Sequence, residues 1–193
     1  MTNFFVIVMD TRGHGRSPLI PSVFSYATFA EDAIGLLDFL GVSRISVVGW
    51  SDGAVTGLLL AMARPERIEK LFAFGANITP DGLKPNRARS NLFRLYADRC
   101  HNEYQQLSPH PDRWPQLLDH LRPMWRREPN LPWRALREIT LPVAIAYGEY
   151  DEIIERDHSE RMARELSNSQ FVLLPKVSHF ALLQDYCKWP IQQ

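Results

Sequence analysis

The stretch from Arg44 to Arg64 constrains the fold more than any other. Ile45 to Val48 is a short apolar run that reads as a buried strand. It breaks at Gly49-Trp50-Ser51-Asp52-Gly53, and a helical apolar pattern starts at once. Strand, sharp turn and helix in that order hold the serine of a G-x-S-x-G segment out of the sheet. A serine hydroxyl is a weak nucleophile unless it is exposed beside a base. Both flanking glycines are expected because a side chain at either would collide with the neighbouring strand or helix. The helix start behind Ser51 offers backbone N–H groups, that of Asp52 first, to a developing oxyanion.

The rest of the chain alternates strand and helix signals around this turn. Phe4 to Met9 is continuously apolar and reads as a strand buried on both faces. Asp10 to Ser17 is a Gly-rich loop that lacks the spacing of a phosphate-binding loop, and His14 reads as a structural loop residue. Thr28 to Leu40 is an amphipathic helix, with Thr28 and Glu31 as a capping box and Gly41 as its C-terminal cap. Further strands are expected over Glu69 to Phe74, Pro142 to Tyr147 and Gln170 to Leu174, with a helix over Asp157 to Leu166. The fold class is α/β, a mostly parallel sheet with helices on both faces.

Between Asn77 and Thr140 the alternation stops, with helical stretches near Asn86–Tyr104 and Asp112–Arg126. That length is too great for a plain connection, so residues 77–140 are expected to form a helical lid on a core of residues 1–76 and 141–193. Trp114, Trp125 and Trp133 either line an apolar pocket or glue the lid to the core.

Composition narrows the function classes. Basic and acidic residues balance at 22 each, which argues against a nucleic-acid face. Cys100 and Cys187 show no metal or redox spacing and read as free thiols of a reducing, cytoplasmic compartment. Phe4 to Met9 is too short to cross a membrane. His101, His110 and His120 are too irregularly spaced for a zinc site, so neither metal nor cofactor is expected. The expected partner is a small-molecule substrate.

Three residues lie just past the C-terminal ends of expected strands, where ligands bind in open α/β sheets. They are Ser51, Asp151 and His179, in the chain order Ser…Asp…His. The chemistry expected of them is proton transfer from Ser51 to His179, with Asp151 fixing the imidazole tautomer, and an acyl-enzyme that water releases. Glu149 and Glu152 flank the acid and Asp185 lies beyond the base as weaker candidates. Trp50 and Asp52 flank the nucleophile as candidate substrate contacts. The Asp52 carboxylate either binds a substrate ammonium or caps the helix behind it.

Taken together these segments resemble the α/β-hydrolase family. Asp10-x-Arg12-Gly13-x-Gly15-x-Ser17 resembles its loop after strand 4, and Gly49-Trp50-Ser51-Asp52-Gly53 its nucleophile elbow. Gly148-Glu149-Tyr150-Asp151 resembles its acid loop and Val177-Ser178-His179-Phe180 its histidine loop. The Trp-Ser-Asp elbow is similar to the branch of biphenyl-hydrolase-like and valacyclovir-hydrolase-like esterases. The resemblance implies a serine hydrolase of small esters, thioesters or amides. It also implies that strands 1 to 3 of the family, and a His-Gly loop donating a second oxyanion N–H, have no counterpart in these residues. One such donor is worth about 3–4 kcal/mol in the transition state, so the alternatives are a weakly active or non-catalytic relative, or other triad chemistry such as perhydrolysis or C–C hydrolysis. On this reading Phe4–Met9 and Ile45–Val48 either face each other across an empty slot or pair directly, and self-association through exposed strand edges is expected. The C-terminal helix looks short, since Cys187-Lys188-Trp189-Pro190 breaks its amphipathic pattern.

Overall fold

Four strands pair in chain order into one parallel sheet: β1 (Ile45–Trp50), β2 (Ile68–Phe74), β3 (Val143–Gly148) and β4 (Ser169–Leu174). The computed structural model describes residues 4–20, 23–181 and 183, so Cys187 and Asp185 lie outside the described residues. Val47 sits opposite Leu71, Ala73 opposite Ile145, and Ala146 opposite Val172. Helix α2 (Asp52–Ala63) packs on β1 and β2, and α6 (Arg156–Glu165) on β3 and β4. Leu58, Ile68, Leu71, Ile145 and Met162 meet in that layer and are fully buried or nearly so. Burying each such side chain contributes about 1.5–3 kcal/mol. Gly57 sets the approach, because a Cβ there would come within 2.7 Å of Leu71.

Helix α1 (Tyr26–Phe39) starts earlier than its sequence pattern suggests. Ser25, not Thr28, is the cap: its hydroxyl accepts the Thr28 N–H at 3.0 Å. Thr28 instead sits in the first turn, its own hydroxyl 2.7 Å from that of Ser25. The cap lies further upstream because Tyr26 and Phe29 must both reach the core under the helix. Gly41 closes α1 as expected, at φ +66°, with Val42 N–H on the Leu37 carbonyl (2.9 Å).

Phe4 to Met9 is not a strand. It runs as unpaired chain, and Phe4, Phe5, Val6 and Val8 are all more than 70% exposed. An apolar pattern cannot make a strand without a ladder partner, and among the described residues β1 pairs with β2 alone. The direct pairing of Phe4–Met9 with β1 is therefore absent. Val48, on the face of β1 opposite Val47, is 82% exposed.

The connection from β2 to β3 carries α3 (Asn91–Leu107), α4 (Trp114–Arg127) and the one-turn α5 (Trp133–Leu136). Ser90 caps α3 by accepting the Phe93 N–H, which fixes its start after the 86–89 turn. Phe24, Tyr26, Phe29, Val55, Leu117 and Met124 form a second core that binds α4 to α1 and α2. Trp114 packs on this core, whereas Trp133 lies beneath the Arg161 guanidinium and against His158. No helix of the described residues is long and apolar enough to cross a membrane.

His158 links α6 to the segment after β2. Its Nε2 accepts the Ile78 N–H at 3.1 Å, and Gly82 lies so close that a Cβ there would touch the ring at 2.7 Å. Burial lowers the imidazole pKa, with Arg161 adding to the shift and Asp81 opposing it. The unfolded chain takes up this proton near pH 6.5 and the folded chain resists it. Stability should therefore fall as pH drops through about 6.5. Denaturation midpoints at pH 8 and pH 5.5 check this, and the difference should shrink in His158→Gln.

Candidate active site

The turn after β1 holds Ser51 in a conformation that few side chains adopt, at φ +52°. Two features keep it there. Its N–H donates to the Phe74 carbonyl (2.9 Å), and its own carbonyl accepts from Ala54 and Val55 in the first turn of α2. Gly49 lets α2 pass close behind, since a Cβ there would lie 2.4 Å from the Gly53 carbonyl oxygen. Gly53 does not share this constraint: a Cβ on it would meet nothing within 4 Å among the described residues, because it faces out from the exposed side of the helix start. Ser51 is half-buried, and Asp52 opens α2, where backbone N–H groups have no acceptor within the helix.

Asp151 follows β3 and His179 follows β4, both 1% exposed. His179 Nε2 lies 3.0 Å from the Ser51 hydroxyl, and its Nδ1 lies 2.9 Å from Asp151 Oδ2. The other Asp151 oxygen accepts the N–H groups of Ile153 and Ile154, each at 2.8 Å. These bonds fix the carboxylate plane and keep it an acceptor toward the ring. Gly75, at φ +65°, makes room for the imidazole: a Cβ there would be 2.7 Å from His179 Cε1. Phe180 meets the ring edge-on at 5.1 Å.

The acid and base loops are stitched together. Tyr150 N–H donates to the Val177 carbonyl (2.9 Å), Glu149 N–H to that of Leu174 (3.0 Å), and Lys176 N–H to the Glu149 carboxylate (2.8 Å). Gly148 permits the contact, because a Cβ there would be 2.4 Å from the Val177 oxygen. Neither flanking carboxylate takes the acid's place. Glu149 is spent on Lys176, and Glu152 accepts the His179 main-chain N–H at 3.0 Å. Burial raises the Glu152 pKa above the ordinary carboxylate value.

The two residues flanking Ser51 make contacts that sequence reasoning did not foresee. The Trp50 indole N–H donates to the His179 carbonyl at 2.8 Å, so it is engaged within the protein. The Asp52 carboxylate does not cap α2. It accepts from the Tyr26 hydroxyl (2.6 Å) and the Trp125 indole (2.8 Å), tying the elbow to α1 and α4. Burial and the Asp52 charge raise the Tyr26 pKa, which keeps the phenol a donor. Among the described residues no cationic side chain pairs with Asp52. Tyr26 and Trp125 are distant in sequence and carried no signal of this contact. Trp50, Tyr96, Cys100, Phe180 and Leu183, with the charged Arg99 and Glu103, line a cavity of about 150 Å³; Trp114, Trp125 and Trp133 do not. Burial raises the pKa of both Tyr96 and Cys100 there.

The Gly-rich loop is tied to α1. Arg12 grips Asp32 of α1 with two bonds of 2.6 and 2.5 Å, and Asp10 accepts the Arg16 N–H at 3.0 Å. His14 points back onto the Arg12 carbonyl (3.1 Å), as a structural residue does. Among the described residues no group of three or more His, Cys, Asp or Glu side chains could hold a metal ion.

A parallel sheet with an elbow serine, an acid and an imidazole at the same strand ends is the architecture of one large enzyme family. The family model described as "Alpha/beta hydrolase family" matches residues 2–188, and the chain belongs to that family. It is 27% identical over 194 residues to "Serine hydrolase BPHL" of Homo sapiens, an alignment covering 91% of this chain and 63% of that protein. The chain thus spans less than two thirds of that relative's length. It is 26% identical over 208 residues to "Putative carbamate hydrolase RutD" of Stutzerimonas stutzeri, covering 95% of this chain and 77% of the relative. Among solved structures, the meta-cleavage product hydrolase CumD of Pseudomonas fluorescens superposes with a TM-score of 0.73 at 15% identity. That superposition covers 92% of this chain and 74% of CumD, and shows a common fold.

Proposed function

We propose that this chain is a serine hydrolase that cleaves small esters, thioesters or amides. Ser51 attacks the substrate carbonyl carbon as His179 Nε2 takes its proton, and Asp151 stabilises the imidazolium. The Asp52 N–H receives the developing oxyanion. His179 returns the proton to the leaving group, and water then releases the acyl group from Ser51 by the same route. The observation that carries this reading is the unbroken relay of 3.0 and 2.9 Å from a serine held at positive φ. The helical segment of residues 77–140 serves as the lid in this proposal. A fluorophosphonate probe tests it: Ser51 should be labelled and Ser51→Ala should not. A folded protein that resists the probe sinks the reading.

The carboxylate beside the nucleophile bears on the substrate. Among the described residues Asp52 holds two neutral donors and no cation, which leaves its carboxylate to attract a substrate ammonium. Amino-acid esters are the class this favours. A valine ester should be hydrolysed at least tenfold faster than its N-acetylated form, the step expected of about 1.4 kcal/mol. Equal rates for the two would leave Asp52 as a tether for α1 and α4.

A further inference from the structure

The main chain of His179 is gripped from both sides by the sequence neighbours of the other two site residues. Trp50, which precedes Ser51, donates its indole N–H to the His179 carbonyl at 2.8 Å. Glu152, which follows Asp151, accepts the His179 N–H at 3.0 Å. The imidazole is only as well placed as the peptide that carries it, and the loop of residues 175–178 before it has no regular structure. Within that loop Lys176 adopts φ +59°.

We infer that Trp50 and Glu152 are positioning residues that set where the His179 ring stands between Ser51 and Asp151. This rests on the reading of His179 as the base. The clamp uses separate atoms from the relay: the ring nitrogens meet Ser51 and Asp151, while the peptide N–H and carbonyl meet Glu152 and Trp50. Neither grip is replaceable by water, because His179 is 1% exposed. The Trp50 ring is also fixed on its far side, edge-on to Tyr96 (5.4 Å) and to Phe180 (6.1 Å). Its N–H is therefore aimed by packing and not by chance of rotamer. Glu152 is half-buried, and its Oε1 is buried without a hydrogen-bond partner among the described residues.

Three variants separate the grips from the packing. Trp50→Phe keeps an aromatic ring and removes the N–H. Glu152→Ala removes the acceptor, and Glu152→Gln restores an uncharged one. The primary readout is the low-field proton resonance of the His179 Nδ1–H to Asp151 hydrogen bond, which needs no turnover. It should shift or broaden in Trp50→Phe and in Glu152→Ala, and return in Glu152→Gln. For ester hydrolysis, kcat should fall about tenfold or more in the first two variants with KM within twofold, the pattern of a mispositioned base. Thermal unfolding above the assay temperature in all three keeps the comparison fair. A resonance unchanged in both disrupting variants overturns the clamp. A resonance that moves in a chain whose Ser51 takes no fluorophosphonate leaves the clamp standing and removes the hydrolase reading instead.

Discussion

Asp151→Asn should lower kcat by about 10⁴-fold, the cost of fixing the wrong imidazole tautomer. The substitution keeps the shape of the site. An asparagine carbonyl can still accept the Ile153 and Ile154 N–H groups, each now 2.8 Å from Oδ1. Its amide nitrogen then faces His179 Nδ1, where the carboxylate oxygen stood at 2.9 Å. Two donors cannot share that contact, so the ring proton moves to Nε2. From there it points at the Ser51 hydroxyl, 3.0 Å away, and the ring can no longer accept from serine. Binding should change little, because Asp151 is 1% exposed and out of a substrate's reach. Steady-state kinetics on any ester the parent cleaves check this. A kcat within tenfold of the parent would mean that Asp151 does not orient the base.

The second large effect is expected from a residue with no functional group. Gly75→Ala puts a methyl group 2.7 Å from His179 Cε1 and 2.8 Å from Nδ1, at a backbone φ of +65°. The strained backbone costs about 1–2 kcal/mol for a residue with a Cβ. The ring must also move by several tenths of an ångström, and it is walled in by Phe180 and by the Trp50 clamp. A displacement approaching 1 Å at a reacting atom costs about 10²-fold in rate. Gly75→Ala should therefore lose about 10²-fold in kcat and several degrees of melting temperature together. An active variant with an unchanged melting point would show that the pocket around His179 is softer than the contacts indicate.

Much of this site was legible in the sequence, for a definite reason. Ser51, Asp151 and His179 each stand just past an apolar run that must be buried, so strand periodicity located them. The elbow was legible because Gly49 answers a steric demand that only a missing side chain can meet. The same reasoning failed at Gly53, which has open space around it, because a turn motif does not reveal which neighbours are present. It failed again at Phe4–Met9, where apolarity suggested a strand and the ladder partner was not there to make one. The tethers from Asp52 to Tyr26 and Trp125 were illegible for another reason. They join three elements through side-chain tips, and no local period or cap records such a meeting. Glu152 was visible as a flanking carboxylate, but its engagement of the His179 peptide was not.

The stitching of the acid loop to the base loop limits how chains built on this plan can diversify. A backbone contact that requires glycine at position 148 leaves no slack for an added or deleted residue on one side alone. Length changes within 148–151 would have to be matched within 174–179, residue for residue, to preserve the three hydrogen bonds between them. The stretch between β2 and β3 is tied to the same loops only near its start, where Gly75 lies against His179, Lys84 Nζ donates to the Asp151 carbonyl and Leu83 bridges Ile154, so new pockets are most readily grafted beyond it, around α3 to α5.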